Sequence, residues 1–183
     1  MRRVPIQFLF AAGFALTVAS CGVPIQSAGS FARGVTVDQY STFSWNQEAD
    51  ITIGDPRLEN NRIFEDRLHE AIEWELSLRG IRQSESSPDL LVHHHLTLAD
   101  HDLVDEVIDE SGYERTEVFT YEEGTIVVHV VDARTQGNVW LGWTQANVEP
   151  ALAGPESMQR WVYDAVREMF EDWPVPERTG EGQ

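Results

Sequence analysis

Three histidines are the residues best suited to metal chemistry in this sequence. His93 and His95 alternate within an apolar segment typical of a β-strand, so both side chains are expected on one face of a sheet. His129 lies in a later strand-like segment, and a neighbouring place in the sheet brings it to the same face. Three neutral imidazoles leave zinc one open coordination position, where a water molecule is activated. A zinc-dependent hydrolase or metal-binding protein is therefore one hypothesis.

The competing interpretation is that these are ordinary histidines of an exposed strand. Between them, His94 faces the opposite way and is expected to be buried and hydrogen-bonded. The sequence contains no G-x-S-x-G segment, and spacing singles out no set of Ser, His and Asp. We therefore expect a non-enzymatic protein with no catalytic residue and no cofactor.

Acidic residues crowd the segment 100–123 and offer oxygen ligands of the kind that calcium prefers. Their order lacks the D-x-[DN]-x-[DN]-G pattern of an EF-hand, so a solvated acidic connection is the favoured interpretation. The carboxylates concerned belong to Asp100, Asp102, Asp105, Glu106, Asp109 and Glu110.

The single cysteine, Cys21, carries the most specific signal in the chain. Basic residues at the start and an apolar run, 8–19, lead into Val-Ala-Ser-Cys, which resembles a bacterial lipobox. This pattern predicts a signal peptide over residues 1–20 and lipid attachment at Cys21. Each acyl chain contributes about 0.8 kcal/mol per buried CH₂, so several chains together hold a protein stably at a membrane.

Charge and the residue after the cysteine refine the predicted location. The chain has 13 basic and 31 acidic residues, a formal net charge of −18, which excludes nucleic acid as a partner and repels anionic lipid. The acyl chains are then the expected membrane contact. Gly22 stands where an acidic residue commonly signals inner-membrane retention, so we predict an outer-membrane anchor with the domain facing the periplasm.

The rest of the chain predicts one domain. Residues 21–34 are the lipidated N-terminus and a flexible tether, 35–174 form the domain, and 175–183 are a disordered tail. The predicted elements follow the order β-α-β-β-β-β-α: a strand at 35–45, a helix from Asp55-Pro56 to Gly80, strands at 89–99, 117–121, 125–132 and 139–148, and a helix from Gly154-Pro155 to Trp173. This order predicts an α+β fold, an antiparallel-rich sheet with two helices packed on one face.

Several short segments, taken in order, resemble one family. They are Tyr40-Ser41-Thr42-Phe43-Ser44-Trp45, Asp55-Pro56-Arg57, Leu78-Arg79-Gly80, Pro88-Asp89-Leu90-Leu91-Val92, Gly124-Thr125-Ile126-Val127-Val128, Val131-Asp132-Ala133-Arg134-Thr135 and Val139-Trp140. Over residues 35–172 the chain resembles the DUF4136 lipoproteins. The resemblance implies an envelope lipoprotein without a settled biochemical role. The family often carries an acid at the position of His129 and an arginine at that of Leu141.

The tryptophans divide into core and surface candidates. Trp140 and Trp161 follow the inward face of a strand and the apolar stripe of a helix, so both are expected in the core. Trp143 is expected on the outward face with Leu141 and Val139, and an exposed apolar patch of this kind typically binds a partner. We therefore expect an interaction module that binds another envelope protein.

Overall fold

The computed structural model describes residues 25–46, 51–52, 62–108 and 114–176. The predicted signal peptide, Cys21 and the predicted helix start at Asp55-Pro56 lie outside the described residues, as does all of the predicted tail after residue 176. The strands are β1 (Gln26–Phe31), β2 (Thr42–Trp45), β3 (Ile51–Thr52), β4 (Arg82–Gln83), β5 (Leu90–Ile108), β6 (Glu114–Asp132) and β7 (Asn138–Asn147). The helices are α1 (Arg62–Leu78), α2 (Glu149–Leu152) and α3 (Pro155–Met169), and a 3-10 turn covers Val37–Gln39.

The sheet is mixed, with the strand order β1-β7-β6-β5-β2-β4 and with β3 also paired to β5. β1, β7, β6 and β5 pair antiparallel, whereas β2 and β3 join β5 in parallel and β4 joins β2 in parallel. The prediction of an antiparallel-rich sheet is therefore wrong. The reason is that the chain between β2 and β5 includes α1, and a helical crossover returns the next strand in the same direction.

The acidic segment 100–123 differs most from its predicted form. β5 and β6 have 19 residues each and pair without interruption from Leu90–Asp132 to Ile108–Glu114. β7 ends its pairing with β6 opposite Glu123, so the described residues beyond that point form a two-stranded arm. The predicted solvated connection is thus largely a β-hairpin, in which β-branched and aromatic residues of high strand propensity lie between the acids.

Part of the predicted tether belongs to the sheet. β1 pairs antiparallel with β7, from Gln26 opposite Gln145 to Phe31 opposite Trp140. A Cβ atom on Gly29 would lie 2.8 Å from Cζ2 of Trp140, so the small residue is required by the tryptophan that packs beside it. Small residues, which favour a flexible linker in isolation, here make room for a bulky neighbour.

One buried core contains residues from the sheet and from the helices. Alternate residues of β5, β6 and β7 and one stripe each of α1 and α3 belong to it. α1 and α3 contact each other, and α3 also contacts β7 and β1, while packing of both helices on a single face stays a prediction. Trp140 is fully buried against Phe170 and Trp173, and Trp161 is 7% exposed, as expected of core residues.

The helix ends follow the predicted signals where they are described. α1 ends at Leu78 and is followed by Gly80, whose φ is +81°, and the N–H of Ile81 donates to the carbonyl of Leu76 at 3.0 Å. This is the Schellman arrangement, and Ile81 is buried as its hydrophobic contact. Pro155 occupies the first turn of α3. Within the described part of the chain, none of the helices combines the length and the apolar character needed to cross a bilayer.

Candidate functional site

The three predicted histidines lie together on one face of β5 and β6. His93 is directly opposite His129 across the antiparallel pair, and His95 is opposite Val127, its next neighbour on that face. Ring centroids are 4.9 Å apart for His93 and His129, 5.4 Å for His93 and His95, and 5.5 Å for His95 and His129. The structure thus brings the three imidazoles into one cluster, the outer histidine cluster.

The ring orientations in this cluster do not favour a shared ion. His93 and His129 are stacked with an interplanar angle of 25°, whereas imidazoles that bind one metal point their nitrogens at a common position. Burial, and secondarily the charge of His95, lowers the pKa of His129 below its usual value. The outer cluster is therefore one stacked pair of rings, with His95 edge-on to both, in which His129 tends to remain neutral.

Apolar side chains border the outer cluster. The register places Leu141 of β7 opposite His129, and Trp143 opposite Val127. All three apolar residues are partly exposed and lie outside the buried core. We define the outer face as Val127, Leu141 and Trp143 together with the outer histidine cluster. His129 pairs directly with Leu141 across the two strands. These are the two positions where the family often carries an acid and an arginine.

Val139 departs from the predicted outward position. The register between β6 and β7 shifts at Val130 and Val131, which face Trp140 and Asn138, so β7 carries one extra residue there. Val139 is that residue, and it is 1% exposed. A β-bulge thus sends Val139 and Trp140 both toward the core, which simple alternation cannot anticipate.

A second group of potential ligands lies on the other side of β5. His94 is 6% exposed and its ring centroid is 5.2 Å from that of His69 on α1. Glu65 precedes His69 by one helical turn. One ligand atom from each of Glu65, His69 and His94 lies within 4.8 Å of the other two. We call these three residues the inner cluster.

Sequence reasoning missed two members of the inner cluster and gave the third only a structural role. The available signal was the spacing of Glu65 and His69, because residues i and i+4 share one face of a helix. The sequence carried no signal that α1 would bring this face over His94. That proximity depends on tertiary packing.

Trp45 holds the inner cluster in place from the end of β2. Its ring stacks on His69 with centroids 3.9 Å apart and an interplanar angle of 17°, and it meets His94 edge-on at 6.4 Å. Its Nε1 donates to Glu73 at 3.1 Å. The indole is thereby fixed at both its face and its polar end, which restricts the rotation of the His69 ring.

Asp89 and Asp132, which lie in segments that resemble the family, have structural hydrogen-bond partners. Asp89 accepts hydrogen bonds from the backbone N–H groups and the hydroxyls of Ser41 and Thr42, at 2.9 to 3.1 Å. These bonds, first that of the Ser41 N–H, lower the pKa of Asp89. Asp132 accepts from the N–H of Thr135 at 2.7 Å, which is the main cause of its lowered pKa. Both carboxylates stay ionised, and their hydrogen bonds stabilise the conformation of the adjoining loops.

Asp100 and Asp102, arm acids whose side chains the structure describes, do not converge on a calcium position. Asp100 and Asp102 are exposed on the same strand, and Asp102 accepts a hydrogen bond from Thr120 across the hairpin at 2.8 Å. An extended strand spaces successive residues by about 3.3 Å and sends them to alternate faces, whereas calcium needs six to eight oxygens around one point. The side chains of Asp105, Glu106, Asp109 and Glu110 lie outside the described part of the structure. Calcium binding by the arm stays a hypothesis from the sequence.

A family model describing a domain of unknown function, DUF4136, matches residues 28–175. The chain belongs to the DUF4136 family. No curated protein matches it at a significant level. The match includes β1 and all later elements, so the DUF4136 domain is the folded unit described above.

Several solved structures are similar to this DUF4136 domain at low identity. A PDZ domain protein from Parabacteroides distasonis matches with 16% identity and a TM-score of 0.53, covering 85% of this chain and 38% of that chain. PelC from Paraburkholderia phytofirmans has 5% identity, a TM-score of 0.45, and coverage of 80% and 95%. A minor lipoprotein from Acinetobacter baumannii has 9% identity, a TM-score of 0.31, and coverage of 72% and 91%. The first match is one of fold alone, and this chain spans well under half of that protein.

Proposed function

We propose that this DUF4136 protein is a non-enzymatic lipoprotein of the bacterial envelope. Acyl chains on Cys21 anchor it to the outer membrane, and its periplasm-facing domain binds another envelope protein through the outer face. The observation that carries the proposal is the outer face itself. It places Leu141, Trp143 and Val127 in adjacent positions beside three imidazoles, and none of these residues belongs to the buried core.

The short distance between Cys21 and the sheet supports a role beside the membrane. β1 begins at Gln26, five residues after Cys21. An extended chain spans at most about 3.6 Å per residue, so the lipidated cysteine and the first strand are separated by no more than about 18 Å. An anchored domain is then held next to the membrane surface and meets partners that reside there.

The chemistry of the outer face and the charge of the chain define the partner. Aromatic and aliphatic side chains are enriched at the centres of protein interfaces, and a polar rim surrounds them. The formal net charge of −18 attracts a basic surface and repels an acidic one. We therefore propose a basic envelope protein that presents an apolar patch to Leu141 and Trp143.

Site-specific photo-crosslinking in cells tests this interface. A photoreactive phenylalanine analogue in place of Leu141 should give one discrete adduct with an envelope protein. The same analogue at Glu85, which is exposed on a loop, serves as the matched control and should give none. An equal adduct pattern at both positions, or no adduct at Leu141, would contradict the proposed interface.

Anchoring is tested separately by removing the lipid attachment site. Cys21→Ala should move the protein from the membrane fraction to the soluble periplasmic fraction, because the acidic domain has no electrostatic attraction to anionic lipid. A Ser20→Ala variant keeps the cysteine and should remain with the membrane. Retention of the Cys21→Ala variant in the membrane fraction would show that the anchor was misidentified.

The zinc-dependent hydrolase remains the alternative, since His93, His95 and His129 do lie together. The stacked arrangement of His93 and His129 argues against it. Zinc uptake that disappears in a His93→Ala, His95→Ala double variant would favour this alternative. Uptake that survives the double variant would remove it.

A further inference from the structure

We infer that the inner cluster, Glu65, His69 and His94, is a zinc site that joins α1 to β5. This inference is independent of the proposed interface on the outer face. Its three donors are one carboxylate oxygen and two imidazole nitrogens, and each group is a common zinc ligand. Two imidazoles favour zinc over calcium or magnesium, which prefer ligand sets made of oxygen.

The spacing of the donors is close to that of a coordinated ion. Ligand atoms about 2.0 to 2.1 Å from a tetrahedral zinc lie about 3.3 Å from one another. The ligand atoms of the inner cluster all lie within 4.8 Å of one another. The side chain of Glu65 is exposed and free to rotate about its own bonds, so its carboxylate can approach the two imidazoles.

A buried nitrogen provides a second, independent observation. Nε2 of His69 is buried, and among the described residues it has no hydrogen-bond partner. A buried polar atom left unsatisfied costs about 1 to 3 kcal/mol, so native structures rarely contain one without a reason. A zinc ion bound at this nitrogen removes the cost.

The surroundings of His69 resemble those of an oriented metal ligand. Trp45 lies flat against its ring at 3.9 Å and is itself tied to Glu73 by a 3.1 Å hydrogen bond. Metal-binding histidines generally have their ring orientation fixed by a hydrogen bond to the second ring nitrogen, and here the stacked indole restricts the His69 ring instead. The face of α1 that carries His69 also carries Glu65, whose negative charge offsets that of the ion.

The ligands come from two different elements. Glu65 and His69 belong to α1, whereas His94 belongs to β5, so one ion would link the helix to the sheet. Zinc binding to the folded chain stabilises it by mass action. The three protein ligands leave a fourth position for water or for a further side chain.

Metal analysis of the full-length lipoprotein, purified in mild detergent without a histidine tag, tests the inference. After treatment with a chelator and dialysis against micromolar zinc, the protein should hold close to one zinc per chain. Glu65→Gln and His69→Ala should each weaken zinc binding by more than tenfold, since loss even of a residue that only orients a metal ligand typically costs about 10- to 100-fold.

Two matched controls separate the inner cluster from the rest of the molecule. Asp66→Asn removes the same charge from the next residue of α1, and His95→Ala removes an imidazole from the opposite face of β5. Both variants should bind zinc like the unaltered protein. Glu65 is exposed, so Glu65→Gln remains informative if His69→Ala does not fold.

Thermal unfolding gives a second readout. Zinc should raise the melting temperature of the unaltered protein and of both controls, but not that of Glu65→Gln at the same zinc concentration. The inference is overturned if the unaltered protein takes up no zinc at micromolar concentration. It is equally overturned if uptake persists in Glu65→Gln and His69→Ala, or if His95→Ala abolishes it.

Discussion

Strand β5 carries three consecutive histidines, and its two faces place them in different chemical surroundings. His94 faces the core and meets His69 and a carboxylate from α1, whereas His93 and His95 face outward and meet His129. Inner-cluster donors converge, while two rings of the outer cluster stack. The comparison teaches that residue type alone does not define a site, because burial and the neighbouring element decide which atoms can meet.

Trp140 and Trp143 of β7 also lie on opposite faces, one buried and one on the outer face. Their substitution is expected to give the largest difference in the free energy of unfolding. Trp140→Ala should lower the free energy of unfolding by about 3 to 5 kcal/mol, because it leaves a cavity between Phe170 and Trp173. Trp143→Ala on the outer face should cost less than about 1 kcal/mol. Urea unfolding followed by circular dichroism measures both. An equal loss of unfolding free energy in the two variants would mean that other residues of the chain cover Trp143 and the outer face.

Substitution of a glycine in β7 and of another in the neighbouring turn should give a smaller difference in the free energy of unfolding. A Cβ atom on Gly142 would lie 2.7 Å from Cγ of Met169, so Gly142→Ala should overpack the inner face and cost about 1 to 3 kcal/mol. Gly137 faces open space on the turn apart from Thr135, and Gly137→Ala is the matched control. Thermal unfolding of both variants tests the prediction, and a control that is equally destabilised would refute it.

The smallest effect concerns protonation of the outer cluster. Burial and the charge of His95 lower the pKa of His129, so the folded state binds its proton less readily than the unfolded state does. The resulting stability is present above the unfolded pKa of about 6.5 and is lost as the pH falls through the folded pKa. Stability should therefore fall more between pH 7.5 and pH 5 in the unaltered protein than in His129→Gln.

Nuclear magnetic resonance of the histidine rings checks the assignment directly. His129 should titrate below its usual range, and His95→Ala should raise the pKa of His129 without restoring it fully, since burial is the larger cause. His101→Ala, far along the arm, is the control and should leave the titration of His129 unchanged. An unshifted His129 in the unaltered protein would contradict the packing of the outer cluster.

Local patterns predicted those elements whose signals are local. The glycine and the apolar contact at the end of α1, the stripe of α3 and the alternation of β5 all appear as expected. The arm was predicted as a solvated connection because its many acidic residues are typical of an exposed loop, although β-branched and aromatic residues lie between them. β1 was assigned to a tether because Gly29 and its small neighbours favour flexibility until Trp140 is packed against them.

The candidate sites also differ in whether a local sequence signal predicted them. Alternation placed His93, His95 and His129 on one face, and the register confirms their proximity. The inner cluster could not be predicted, because His69 on the helix and His94 on the strand are 25 residues apart and only tertiary packing brings them together. The bulge that turns Val139 inward is likewise a property of the paired strands.

The sequence by itself determined the family, the acidic charge and the prediction of lipid attachment at Cys21, because each depends on residues that are adjacent or on composition. Only the tertiary structure decided the mixed sheet, the pairing of β1 and the meeting of Glu65, His69 and His94. These features depend on contacts between distant segments. Such contacts form only when burial of the common core brings the segments together, and no short stretch of sequence encodes them.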